Sequence, residues 1–113
     1  MKENNIFQKI INKKIPADIL YQDEKVTVFS DINPKAPVHF LVIPNKIITS
    51  LNKIEKKDKN LVFHMLNIAI LIAKKKKIYN TGYRLIINCN NHAGQEINHL
   101  HIHVLGGKRL KSI

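Results

Sequence analysis

The chain has 113 residues and a mass of 13.0 kDa, which fits one domain over residues 1–113 and leaves too little for two separate hydrophobic cores. Hydrophobic residues make up 44% and charged residues 24%, a balance typical of folded globular proteins and not of disordered ones. The single cysteine excludes a disulfide-stabilised fold.

The apolar runs are too short for a membrane protein. The longest, residues 61–73, contains a histidine and an asparagine and falls below the roughly 18–20 residues that a spanning helix needs. The N-terminus has neither the apolar core nor the small-residue cleavage site of a secretory signal. We therefore predict a cytoplasmic protein that does not associate with membranes.

The net charge of +11 raises the question of nucleic-acid binding. Only Arg84 and Arg109 are arginines, although bidentate phosphate and base contacts usually use that residue. Lysine, asparagine and isoleucine supply 49 of the 113 residues, and their AT-rich codons offer a mutational explanation for the charge. We predict no specific nucleic-acid partner, but a surface that attracts anionic substrates at low salt.

The first half of the chain predicts a short helix and a strand pair. Apolar residues recur at helical spacing over 4–14, and a short extended segment is expected at 19–21. Residues 25–30 and 39–43 are rich in β-branched and aromatic residues and predict two strands. A turn with two prolines joins these strands, so we expect them to pair antiparallel.

The second half predicts a long helix followed by two strands. The helix covers about 55–77 and is apolar over most of its circumference, so it needs cover on more than one side. In so small a domain, a second subunit is the expected cover. The strands cover 83–88 and 99–105. This order of elements predicts an α+β fold, an antiparallel sheet with its helices on one side.

The last predicted strand carries three alternating histidines. His99, His101 and His103 share one face of a strand, and the apolar residues between them share the other. His39, which begins another predicted strand, offers a fourth imidazole. Clustered imidazoles suit either a metal site or nucleophilic and acid–base catalysis near neutral pH. The preceding Gly94-Gln95-Glu96 favours catalysis on a phosphate, because a tight turn offers backbone N–H groups and a side-chain amide.

The histidine segment matches the pattern His-φ-His-φ-His-φ-φ, in which φ is apolar, and further motifs agree over residues 5–107. The chain resembles the histidine triad (HIT) superfamily, its Hint branch, and within that branch the bacterial purine nucleoside phosphoramidases that carry Gly-Gln-Glu before the triad. The matching motifs are Ile6-Phe7 with Lys9-Ile10-Ile11, Ile15-Pro16, Asp31-Ile-Asn-Pro-Lys-Ala-Pro37, His39-Phe-Leu-Val-Ile-Pro44, Gly82-Tyr-Arg-Leu85, Asn88, Gly94-Gln95-Glu96 and His99 to Gly107.

The resemblance implies a fold and an activity. The expected fold is an antiparallel sheet of about five strands with a short N-terminal helix and one long helix, the sheet being extended in a homodimer. The expected reaction is hydrolysis of the P–N bond in AMP or GMP phosphoramidates, through a nucleotidyl-histidine intermediate. Neither a cofactor nor a metal is implied.

The resemblance also assigns roles to residues. His101 is the expected nucleophile, His103 contacts the phosphate and the leaving amine, and His99 and His39 orient the site. The expected purine clamp is apolar and consists of Ile6, Phe7, Ile10, Phe29 and Ile32. Asp31 and Asn88 are expected to bind the ribose. The turn before the triad, Gly94, Gln95 and Glu96, completes the expected nucleotide-binding residues.

Three alternatives to this function stay open. One is another reaction of the same superfamily, as a dinucleoside polyphosphate hydrolase or a nucleotidyl transferase. Another is a purine-nucleotide-binding protein without catalysis. The third is a metalloprotein that uses His39, His101 and His103 as ligands.

Overall fold

The computed structural model describes residues 5–113, so the first residue of the helix predicted at 4–14 lies outside the described part. The described residues form two α-helices and five strands. In chain order they are α1 (Ile6–Ile11), β1 (Ile19–Gln22), β2 (Val26–Ser30), β3 (Val38–Pro44), α2 (Lys59–Lys75), β4 (Tyr83–Ile86) and β5 (Ile102–Gly106).

The five strands form one antiparallel sheet in the order β1-β2-β3-β5-β4. The predicted pairing of β2 with β3 is confirmed, with Phe29 opposite Leu41. Leu41 is in turn opposite His103 on β5. This register places His103 next to the central strand β3, with Leu41 between it and Phe29 on β2.

The helices cover opposite faces of the sheet, and the prediction that they share one side is wrong. Val28 and Val42 pack in the core beneath α2, whereas Leu41 and Ile43 pack against Phe7 and other apolar residues around α1. The physical reason lies in the central strands, where β2 and β3 are buried on both faces. Apolar residues at successive positions cannot all face one helix, so both faces need cover.

The long helix is shorter than the predicted 55–77. A 3₁₀ turn, Lys56–Asp58, precedes α2, because the Asp58 carboxylate accepts hydrogen bonds from the Glu55 backbone N–H at 2.9 Å and the Lys46 Nζ at 2.6 Å. The residues of α2 that face the sheet are buried, whereas Phe63 on the other side of this helix is 64% exposed. Within residues 5–113, no helix combines the length and apolarity that crossing a bilayer requires.

The last strand begins at Ile102 and not at the predicted His99. Its partner β3 ends at Pro44, and the ladder between them ends with Val42 opposite Ile102. Beyond that point the Leu100 backbone N–H donates to the Ile48 carbonyl, so this segment follows the loop after β3. The alternation survives outside the strand, since Leu100 and Ile102 still pack in the core under α2.

Candidate active site

A cleft of about 500 Å³ lies between α1 and the sheet. Phe7 and Ile10 anchor α1 by packing on Phe29, Leu41 and Ile43. Most of the predicted site residues line the cleft, namely Ile6, Phe7, Ile10, Phe29, Asp31, Ile32, Asn88, Gly94, Glu96, His101 and His103. The predicted residues His39, His99 and Gln95 do not line it.

His101 is buried, and one of its ring nitrogens is already committed. Its Nδ1 lies 2.7 Å from the His99 backbone carbonyl, which can only accept, so Nδ1 carries the proton. The ring packs edge-on against Phe7, with 5.1 Å between centroids. Among residues 5–113, no protein group hydrogen-bonds to its Nε2. In its neutral form His101 therefore offers the cleft an unprotonated Nε2.

His103 has the opposite tautomer, because His39 holds its other nitrogen. The Lys35 backbone N–H donates to His39 Nδ1 at 3.0 Å, so the proton of neutral His39 is on Nε2. That proton is donated to His103 Nδ1, also at 3.0 Å. His103 must then carry its own proton on Nε2. Burial is the main cause that lowers the pKa of both residues, that of His103 to about 4.

His99 does not line the cleft but contacts a residue that does, His101. The His99 side chain is fully buried, and its Nε2 donates to the Pro44 carbonyl at 2.7 Å. Burial lowers the pKa of His99, so the ring is neutral near pH 7. Its backbone carbonyl holds His101, as described above. His99 thus connects the end of β3 to His101 without reaching the cleft.

Comparison with known proteins agrees with this architecture. Residues 4–112 match the family model described as scavenger mRNA decapping enzyme C-term binding. The chain is 47% identical to the purine nucleoside phosphoramidase of Escherichia coli K12, with 97% of the chain and 92% of that protein covered. An uncharacterised HIT-like protein of Buchnera aphidicola from Acyrthosiphon pisum is 62% identical, with 99% and 98% covered.

A solved structure extends the agreement to the fold. The histidine triad protein of Clostridium difficile superposes with a TM-score of 0.95 at 42% identity, over 100% of this chain and 98% of that one. The chain belongs to the histidine triad family. As a HIT family hydrolase, it uses the five-stranded sheet and the two helices described above to present His101 and His103 to the cleft.

Asp31 joins the paired histidines of this HIT protein. One carboxylate oxygen accepts the Asn33 backbone N–H at 2.8 Å, and the other lies 3.4 Å from His39 Nε2. The ligand atoms of Asp31, His39 and His103 lie within 4.8 Å of one another, a grouping able to hold a metal ion. The metalloprotein alternative raised by the sequence used His39, His101 and His103 as ligands, with His101 in place of Asp31. His101 is not in the group, and its Nδ1 is held by a backbone carbonyl.

In the turn before the triad, Gly94 and Glu96 line the cleft, whereas Gln95 bonds to the backbone of the loop. Gly94, with φ of 81°, adopts a left-handed conformation that favours glycine, and it lines the cleft together with Glu96. The Gln95 amide, predicted to face a phosphate, instead bonds the loop itself. It accepts from the Asn90 backbone N–H and donates to the Thr49 and Ile97 carbonyls, at 2.8, 2.8 and 3.0 Å. Gln95 shapes the turn, because these bonds use both ends of its side chain.

Sequence reasoning missed two kinds of contributor in the HIT cleft. Leu41 lines the wall, and its position opposite Phe29 in the strand pair was the signal that could have identified it. Lys35 contributes through its backbone N–H, as do His99 and Pro44 through their carbonyls. Main-chain groups occur at every residue, so the sequence carries no signal for them.

Proposed function

We propose that this HIT hydrolase cleaves the P–N bond of purine nucleoside 5′-phosphoramidates of the adenosine 5′-monophosphoramidate type. The observation that carries the proposal is the pairing of opposite tautomers. An unprotonated His101 Nε2 and a protonated His103 Nε2 belong to adjacent rings, with 5.0 Å between centroids, and both residues line the cleft. A nucleophile beside a hydrogen-bond donor is what attack on a phosphoryl group requires.

The first step would form a nucleotidyl-histidine. His101 Nε2 attacks the α-phosphorus, and the P–N bond to the amine breaks. His103 donates its single Nε2–H to a phosphoryl oxygen beside the leaving nitrogen, while the departing amine takes the proton that it needs from solvent. As the His101 ring gains positive charge, its Nδ1–H bond to the His99 carbonyl becomes stronger and stabilises the adduct.

The second step would release the nucleotide. A water molecule attacks the same phosphorus, its oxygen becomes part of the nucleoside monophosphate, and the bond from phosphorus to His101 Nε2 breaks. The surplus proton of the water returns to solvent, and His101 recovers its lone pair. Neutral imidazoles suit both steps, and burial keeps His39, His99 and His103 neutral near pH 7.

The remaining cleft residues would bind the nucleoside. The apolar wall of Phe7, Ile10 and Phe29 fits a purine ring, with Ile32 at the exposed rim. The Asp31 carboxylate and Asn88 would hold the ribose hydroxyls, and the turn at Gly94 and Glu96 would face the phosphate. The E. coli relative named as a purine nucleoside phosphoramidase supports this substrate class.

The test is a direct comparison of substrates. We expect faster turnover of adenosine 5′-monophosphoramidate than of diadenosine tetraphosphate, each assayed at several concentrations. Faster turnover of the tetraphosphate would assign the alternative hydrolase activity. AMP binding without turnover of either compound would make the protein a nucleotide-binding module.

We also propose that the protein is a homodimer. On the outer side of α2, Phe63 is largely exposed, and Leu66 and Ile70 are each 37% exposed, so one chain leaves an apolar helix face open. The strand β4 is at one edge of the sheet, with unpaired backbone groups available to a second copy. A twofold pairing would cover both features at once.

A further inference from the structure

The first helix is linked to the histidines through its N-cap residue. Asn5 Oδ1 accepts hydrogen bonds from the backbone N–H groups of Phe7 and Gln8, at 2.8 and 3.4 Å. The amide oxygen is thereby assigned to the helix, and the amide nitrogen points the other way. Asn5 Nδ2 lies 2.9 Å from His99 Nδ1. One side chain therefore caps α1 and contacts the buried histidine.

The contact with His99 has a defined direction. His99 carries its proton on Nε2, where it donates to Pro44, so its Nδ1 can only accept. Asn5 Nδ2–H supplies the matching donor. With both nitrogens bonded, the fully buried ring has one orientation and one tautomer.

The link continues to the proposed nucleophile. The His99 carbonyl accepts from His101 Nδ1 at 2.7 Å. Phe7, two residues after Asn5, packs edge-on against both rings, with centroid distances of 5.8 Å to His99 and 5.1 Å to His101. The start of α1 thus contacts the histidine segment through a hydrogen bond and an aromatic contact.

We propose that Asn5 is a positioning residue that couples the docking of α1 to the placement of His101. Asn5 does not touch the reacting atoms; it acts through His99. The proposal rests on the proposed function insofar as His101 is the nucleophile. Because α1 also carries the apolar wall for the base, the same residue joins base binding to the alignment of the attacking nitrogen.

Two substitutions separate this role from simple helix capping. Asn5→Ser and Asn5→Asp both keep a side-chain oxygen that caps α1. In Asn5→Asp the carboxylate has no hydrogen to donate to His99 Nδ1. In Asn5→Ser the hydroxyl lies one bond short of the position of Asn5 Nδ2, which is itself 2.9 Å from His99 Nδ1, so the hydroxyl does not reach that nitrogen. In Asn5→Asp the carboxylate faces the Nδ1 lone pair and favours a second proton on the ring. Asn60→Asp, at an exposed position in the first turn of α2, makes the same charge change far from the cleft and serves as the matched control.

The kinetic readout is the division between kcat and KM on adenosine 5′-monophosphoramidate. We expect kcat to fall about tenfold in both Asn5 variants while KM stays within about twofold, because the wall of the cleft is kept and the nucleophile is less well aligned. Asn60→Asp should match the wild type. A wild-type kcat in both Asn5 variants would overturn the proposal.

The spectroscopic readout needs no turnover. We expect ¹⁵N NMR to show His99 protonated on Nε2 alone in the wild type, and its pKa raised by about one unit or more in Asn5→Asp. The His101 ring signals should shift in both variants, while the α1 amide signals report an intact helix. If no phosphoramidate is hydrolysed, the proposed function fails but these shifts still support the coupling. An unchanged His99 titration in Asn5→Asp would refute it.

Discussion

His39 Nε2 lies 3.0 Å from His103 Nδ1, and the backbone N–H of Lys35 occupies the other nitrogen of His39. Each ring therefore determines where the next one carries its proton, beginning at a main-chain amide that cannot titrate. The arrangement delivers a donor, Nε2–H of His103, to the cleft. The Asp31 carboxylate lies beside this pair, 3.4 Å from His39 Nε2.

Replacing His39 should therefore impair His103 without touching the cleft wall. We expect His39→Phe to lower kcat about tenfold to a hundredfold, because His103 then populates both tautomers and loses its fixed donor. His39→Gln should lose less, since its amide can still donate to His103 Nδ1. The measurement is kcat on adenosine 5′-monophosphoramidate, with ¹⁵N NMR of the His103 ring. Equal losses in the two variants would contradict the tautomer argument.

Removing the proposed nucleophile should abolish the chemical step. We expect His101→Ala to reduce kcat by several orders of magnitude, with AMP affinity near that of the wild type because the apolar wall remains. His92→Ala is the matched control, as this histidine is exposed and does not line the cleft. Single-turnover assays and AMP titrations measure the two effects. More than about a tenth of wild-type activity in His101→Ala would exclude the covalent mechanism.

Three histidines with lowered pKa values make stability depend on pH. His39, His99 and His103 have pKa values below 6.5 in the folded chain, that of His103 about 4. Below about pH 6.5, the unfolded chain binds protons at these positions more readily than the folded chain does, and for His103 this difference extends to about pH 4. The free energy of unfolding should therefore be highest above about pH 6.5 and fall as the pH drops toward 4.

Urea denaturation at several pH values tests this dependence. His103→Asn should flatten the slope between pH 6.5 and 4, since one of the contributing groups is gone. Asp23 contributes outside this window, because its hydrogen bonds outweigh the opposing effect of burial and lower its pKa to about 2. Its contribution is therefore lost only below about pH 4. An identical slope in His103→Asn would show that His103 does not contribute.

Asp31 should discriminate between sugars. A carboxylate accepts hydrogen bonds from two ribose hydroxyls more strongly than an amide does. We expect Asp31→Asn to raise KM about tenfold to a hundredfold for the ribonucleoside phosphoramidate and to change it little for the 2′,3′-dideoxy analogue. Asp18→Asn removes the same charge outside the cleft and should leave both values unchanged. An equal rise for the two sugars would argue against ribose binding by Asp31.

The outer face of α2 should govern assembly. We expect the wild-type chain to sediment at twice its 13.0 kDa mass at micromolar concentration. Leu66→Glu combined with Ile70→Glu should give a monomer, because buried charges oppose association. Ile47→Glu alters an equally apolar residue that is exposed outside this helix, and it should remain dimeric. A monomeric wild type would refute the proposed dimer.

The sequence predicted those features that depend on side-chain periodicity. Alternation of histidines with apolar residues around Ile102 correctly separated the apolar core residues from the histidines, and the apolar run over 39–43 correctly predicted a strand that pairs with β2. The same run should have indicated helices on both faces. The start of β5 was misplaced because the end of its partner at Pro44 decides where pairing stops, and alternation continues past that point.

The tautomers could not be predicted, because main-chain groups fix them. The donor to His39 and the acceptors for His99 and His101 are backbone atoms that the fold brings into contact. Gln95 is a case in which the side chain was identified but its bonding partners were not. Its amide suited a phosphate chemically, but the loop geometry placed backbone groups at both of its ends. Residue type tells which bonds are available, and only the fold decides which of them form.

The use of main-chain atoms at Lys35, Pro44 and His99 also bears on how freely the sequence can change. A substitution at residue 35 removes a side chain but keeps the N–H that directs His39, unless the new residue is proline. The carbonyl at position 44 is kept by every amino acid. A chain whose composition drifts toward lysine, asparagine and isoleucine can therefore exchange side chains at these two positions while the protons of its histidines stay where they are.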